Sequence, residues 1–225
     1  MAAAREAERT KDWPDSKKKP ANPTKDPGTI GGAKRGEPME REKANSGNVN
    51  PDFMKVKGST INCQSCVVAF EARLRGYDVK AKPNFNNPAA KHLSHKTYDA
   101  WIDPATGKPP EMKRNPETVK TWKQTKKWLE ENVKEGERYT FQHAWKGHQQ
   151  SGHIISVDRD KSGALRLYDP QTGRTYIGKD ADAYLSRTRA NSTIMGMKFP
   201  RLGLTRVDNM QINPEYADGI MEAIK

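Results

Sequence analysis

Three separated fragments of this chain carry groups able to do covalent chemistry together: Asn62-Cys63-Gln64-Ser65-Cys66, Gly152-His153 and Tyr168-Asp169-Pro170-Gln171. They offer a thiol at an expected helix start, an imidazole at an expected strand start and a carboxylate at a strand end. A cysteine hydrolase needs these parts: a thiolate to attack, a base to make and hold it, and a group to orient the base. The turn Asp160-Lys161-Ser162-Gly163 between two strand-like runs predicts a β-hairpin. Pairing across a turn centred near 161–162 sets His153 almost opposite Asp169, where Cβ atoms lie about 4.5–5.5 Å apart. A carboxylate there fixes the imidazole tautomer that presents the other nitrogen to a thiol. Gln171 is the fallback orienter, since an amide oxygen can hold the same tautomer.

The nucleophile is one of two cysteines. Cys63 follows the expected cap Asn62, where free backbone N–H groups and the helix dipole favour a thiolate. Cys66 lies a turn further in, facing Phe70 and Leu74, where a free cysteine packs as a small hydrophobe. Cys63 is therefore preferred. The pair also reads as C-x-x-C, a redox or zinc signal. The polar stretch Lys55–Thr60 is a poor match to the buried strand a redox site follows, and adding His92 and His95 gives no common finger spacing. His143 and His148 read as incidental strand or loop residues. The chemistry requires no cofactor and no metal.

These groups need a helix for the thiol and a sheet for the other two. Cys63, Cys66, Val67, Phe70 and Leu74 follow helical spacing from Asn62 to the stop at Gly76. Asn115-Pro116-Glu117 predicts a second helix start, running to Gly136 with Val119, Trp122, Leu129 and Val133 on its buried face. Strands are expected at 77–81, 138–145, 154–157, 164–168, 174–177 and 203–208. Helices are expected near 89–95, near 179–187 and from about 214. The sum is an α+β domain.

Residues 1–50 hold five Pro, five Gly and one aromatic, Trp13. That composition predicts an unpacked tail or linker over 1–46 and a folded domain over 47–225. The net charge of +12 raises the prospect of nucleic acid or an acidic membrane surface, but no Lys/Arg block exceeds the three lysines at 17–19. Nucleic-acid binding is accordingly the weaker reading. No run of 18 apolar residues exists to span a membrane. Arg5, Glu6, Glu8 and Arg9 break any signal-peptide core, so export is expected to use another route or a carrier chain.

The stretch from Asn62 to Ala69, ending in Arg73-Leu74-Arg75-Gly76-Tyr77-Asp78-Val79, resembles the start of the papain-fold toxin domains often called glutamine deamidase toxins. Gly152-His153 and Tyr168-Asp169-Pro170-Gln171-Thr172-Gly173 are similar to that family's His and Asp-Pro-Gln motifs, and the resemblance covers about residues 47–212. It implies a papain-like α+β fold, an N-terminal catalytic helix packed on an antiparallel sheet, with nucleophile Cys63, base His153 and orienter Asp169. It also implies a protein substrate, a cognate immunity protein, and a larger carrier or a phage minor head protein, since such domains sit at the C-termini of polymorphic toxins. The expected function is deamidation of a glutamine side chain. The alternatives are a cysteine protease of the same fold, a non-catalytic phage-particle or interaction module, and a basic nucleic-acid-binding protein.

Overall fold

Period-two alternation builds the centre of the molecule. In Ile154-Ile155-Ser156-Val157 the side chain of Ile154 joins one buried cluster, while Ile155 and Val157 join another. That is the behaviour of a strand covered on both faces. This computed structural model describes residues 26–45, 47–147, 151–194 and 197–224. Among the described residues, seven antiparallel strands form the main sheet. They are β1 (Lys113–Arg114), β2 (Tyr139–Trp145), β3 (Gly152–Arg159), β4 (Leu165–Asp169), β5 (Arg174–Ile177), β6 (Thr188–Arg189) and β7 (Gly203–Arg206). Their order is β1-β7-β2-β3-β4-β5, with β6 also paired to β2.

The helices are α1 (Arg41–Asn45), α2 (Cys63–Leu74), α3 (Pro88–Leu93), α4 (Trp122–Asn132), α5 (Lys179–Ser186) and α6 (Pro214–Ile220). One face of the sheet packs on α2, where Ile154 and Tyr168 meet Val67 and Phe70 in one cluster. The other face packs on α4 and α5, where Phe141, Ile155 and Leu167 meet Leu129 and Leu185. This is the expected α+β arrangement, a helix laid on an antiparallel sheet.

Helix α2 is buried nearly all round, which is why its sequence lacks a polar face. Its two buried charges are both paired. Glu71 accepts from the Arg138 guanidinium at 2.6 and 2.9 Å. Arg73 donates to Asp78 at 2.5 Å and to the carbonyl of Ala44 at 3.1 Å. Phe70 packs on Tyr168 of β4 with centroids 4.6 Å apart, so α2 is pinned to the hairpin strand that ends in Asp169. Gly76 closes the helix with φ +100°, and a Cβ there would sit 2.3 Å from the Gly36 carbonyl oxygen. Only glycine fits both conditions.

Two expectations need correction. The helix expected from Asn115 begins instead at Trp122, where Thr121 and Gln124 form a capping box. The Asn115 side chain is spent elsewhere, accepting from Leu202 N at 3.0 Å and donating to Asn191 at 3.1 Å. The tail expected over 1–46 is also too long. Residues 1–25 and 46 lie outside the described residues, but residues 26–45 pack on the domain, with Ile30 and Ala44 fully buried. Asp26 accepts from Arg75 and from Ile212 N, and Arg41 pairs with Asp158. Composition misled here because the segment is held by ion pairs and backbone hydrogen bonds more than by apolar area.

Candidate active site

The β3–β4 hairpin and the start of α2 together place the chemistry. The hairpin turn is an Asp160 turn: its carboxylate accepts from Ser162 N at 2.9 Å and Ala164 N at 3.0 Å. That turn sets the register Ser156↔Tyr168 through Arg159↔Leu165. Continued past the last paired residues, Asp169 falls opposite Ile155 and not opposite His153. The two site residues are therefore diagonal neighbours, a correction of two residues to the expected pairing. A shift of two keeps both on the same face. Their side chains meet, with His153 Nε2 at 3.1 Å from Asp169 Oδ2.

The second Asp169 oxygen has its own task. Oδ1 accepts from Gln171 N at 3.0 Å, closing the Asp-Pro-Gln turn. Cys63, at the start of α2, is close enough to His153 to act on its imidazole. Burial works against the imidazolium, but Asp169 and Cys63 outweigh it, and His153 is pushed up to about 10. With Nε2 committed to Asp169, Nδ1 is the nitrogen left for the sulfur.

The two cysteines differ in burial and in partners. Cys63 is the first residue of α2 and keeps a little exposure, with its sulfur 3.3 Å from Gln64 Oε1. Cys66 is fully buried and donates to Asn62 Oδ1 at 3.4 Å. Burial, then the neighbouring Cys63 and Asp169, pushes its thiol well up. As for the C-x-x-C reading, both thiols are free, and among the described residues no group of three His, Cys, Asp or Glu side chains is arranged for a metal. His92 pairs with Asp99 at 2.7 Å and stacks on Tyr216.

Gln171 does not reach the imidazole. Its carboxamide lies on the start of α2, with one terminal atom 3.1 Å from both Asn62 N and Cys63 N. Two donors face that atom, so it is the oxygen. Gln171 thereby caps the helix that carries the thiol, a task the sequence suggested for Asn62. The Asn62 side chain makes no such cap. It is fully buried and exchanges hydrogen bonds with Asn50, whose Nδ2 also donates to the carbonyls of Ser59 and Gln171 at 3.0 Å. Loop, helix start and Asp-Pro-Gln turn are thus fastened to one another.

Sequence reasoning missed the wall behind His153. His143 is its register partner on β2, buried, with Nε2 at 2.8 Å from the Tyr184 hydroxyl. Burial, then the adjacent His153, pushes His143 well below its usual range, so it stays neutral. Trp145 stacks on His153 with centroids 5.8 Å apart. The signal was the alternation Phe141, His143, Trp145, which puts all three on one face. Gly152 permits this packing, because a Cβ there would stand 3.0 Å from the His143 carbonyl oxygen. His148 lies outside the described residues.

A helix-borne thiol, a strand-borne imidazole and a carboxylate, gathered where a helix meets an antiparallel sheet, define the papain-like class of fold. Residues 61–174 match the sequence model of the family described as papain fold toxin 1, glutamine deamidase. The match spans just over half of the chain, and the protein belongs to that family. Membership carries a hydrolase activity of the deamidase type. No curated protein matches the chain. No helix among the described residues is long and apolar enough to cross a membrane.

Proposed function

We propose that this protein deamidates a glutamine side chain of a protein substrate, with Cys63 as nucleophile, His153 as acid and base, and Asp169 as the group that orients His153. One observation carries the reading: His153 Nε2 lies 3.1 Å from Asp169 Oδ2, and Cys63 at the start of α2 is among the groups that act with Asp169 to hold the imidazole charged.

Attack of the Cys63 sulfur on the glutamine Cδ forms the C–S bond and places the electron pair on the amide oxygen. Collapse of this intermediate breaks the C–N bond as His153 gives its proton to the departing ammonia. Neutral His153 then takes a proton from water, whose oxygen attacks the thioester. Breaking the C–S bond returns the thiolate and leaves a glutamate side chain.

The oxyanion needs donors. Backbone N–H groups at the helix start are the usual choice, but Gln171 already accepts from Asn62 N and Cys63 N. Gln64 is better placed, since its carboxamide lies beside the sulfur. Rotation of that amide would aim an N–H at the developing charge. Gln171 is a positioning residue in this account, holding the helix start against the turn of Asp169.

The functional unit we propose runs from about Asp26 to the end of the chain, because residues 26–45 are packed on the domain that holds the site. Delivery by a larger carrier and neutralisation by a cognate immunity protein follow from the family resemblance.

The test is peptide mapping of a folded-protein mixture after incubation with the wild type and with Cys63→Ser. Gln→Glu conversions of about one dalton that require Cys63 support deamidation. New chain termini that require Cys63 would make it a protease instead.

A further inference from the structure

The geometry points to the cleft between β5 and α5 as the subsite that selects substrates: it receives acidic side chains flanking the target glutamine. This rests on the deamidase reading above and specifies its substrate class.

The cleft, about 440 Å³, is lined by Arg174, Thr175 and Tyr176 of β5 and by Asp180, Tyr184 and Arg187 of α5 and its end. Clefts of roughly 300–1,000 Å³ are the usual size for a bound ligand group. It adjoins the candidate catalytic groups through two contacts. Tyr184 accepts or donates at 2.8 Å to His143, the register partner of His153. Trp145, which stacks on His153, also packs edge-on against Tyr184 with centroids 5.5 Å apart.

The charges of the cleft are unbalanced. Arg187 lies over both Tyr184 and Trp145, at 5.3 and 5.7 Å from the ring centres, so its guanidinium is held in place by the aromatic wall. Arg174 is exposed, and its backbone pairs with Asp169 across the β4–β5 ladder. Among the described residues neither guanidinium has a carboxylate within ion-pair distance, whereas the unpaired Arg159 and Arg201 donate to the carbonyl of Val133 and the hydroxyl of Ser192. Asp180 is the lone carboxylate of the lining. Two planar donors without partners, one pre-oriented on aromatic rings, suit side-chain carboxylates. Cation–π contact also holds Arg187 without consuming its N–H groups. A glutamine seated at Cys63 would then carry its acidic neighbours along β5.

The test uses the full-length Cys63→Ser protein, so that binding is read without turnover. Fluorescein-labelled peptides with one Gln flanked by Glu and Asp, or by Lys, are titrated by polarisation. The acidic peptide should bind about tenfold more tightly, and the preference should fade as salt rises from about 0.05 to about 0.5 M. Arg174→Glu, an exposed position, should abolish the preference. Arg187→Gln should weaken it. Lys113→Glu, on the opposite edge strand β1, changes net charge equally and should leave it intact. Equal binding of both peptides, or equal loss in Lys113→Glu, would overturn the assignment. So would a single-stranded oligonucleotide that outcompetes the acidic peptide in an Arg174-dependent way. Because binding is measured in the inactive variant, acidic selection with no deamidation by the wild type would sink the catalytic reading and leave the subsite standing.

Discussion

Replacing Asp169 by Asn keeps the shape of the side chain but removes its charge and one of its two acceptors. Asp169 serves two donors at once, His153 Nε2 at 3.1 Å and Gln171 N at 3.0 Å. An amide has one oxygen for these two. If that oxygen stays with Gln171 N, the new NH₂ faces His153 Nε2 and forces the proton onto Nδ1, away from the arrangement the sulfur needs. If it turns to His153, the NH₂ confronts the Gln171 N–H and the turn loosens. Either way a hydrogen bond to a charged group is lost, about 1.5–3 kcal/mol, or roughly 10- to 100-fold in rate. The same energy should lower His153 from about 10 to roughly 8–9. Asp169→Ala should cost more, about 10³-fold or beyond. The assay is iodoacetamide alkylation of Cys63, followed by intact mass, with a histidine NMR titration of His153 beside it. Neither needs a substrate. Wild-type alkylation in Asp169→Asn, with His153 still near 10, would refute the reasoning.

Other outcomes follow from the same contacts. Cys66→Ala should leave alkylation at Cys63 intact and cost on the order of 1 kcal/mol in denaturant unfolding, since it trims one buried atom that donates to Asn62. Deletion through residue 46 should lower the melting temperature by several degrees, because Ile30, Ala44 and the Asp26–Arg75 and Arg41–Asp158 pairs go with it. Deletion through residue 25 is the control for that experiment. Gly76→Ala should destabilise by about 2 kcal/mol or more, as φ is +100° and the Gly36 carbonyl blocks a Cβ. The folded state holds His153 above its unfolded value near 6.5. Its contribution to stability is therefore full below about 6.5 and is lost as pH rises toward about 10. A urea midpoint that falls over that window in the wild type, and less in His153→Ala, would bear this out.

How much of this was legible in the sequence depends on the range of the interaction. Helix α2, the β3–β4 hairpin and the Asp-Pro-Gln turn are written in local patterns: 3.6-residue spacing, period-two alternation and an Asp-to-Gly turn. The meeting of His153 with Asp169 was readable because a register error of two residues preserves the face. The capping role of Gln171 was not, since it joins residues more than a hundred positions apart and nothing in Asn62-Cys63 announces that its cap arrives from another turn. Asn115-Pro116-Glu117 misled for the converse reason: good local start chemistry was overruled by tertiary partners at Asn191 and Leu202. The packing of residues 26–45 depends on single anchors such as Asp26 on Arg75, which composition averages away.

The claim on which the account turns is that Cys63, and not Cys66, faces the cation of His153. Limiting iodoacetamide at neutral pH, followed by peptide mapping, measures this directly. The account predicts that the first equivalent lands on Cys63, that His153→Ala slows it at least tenfold, and that Cys66 reacts only after unfolding. First labelling at Cys66, or a Cys63 rate indifferent to the loss of His153, would contradict it.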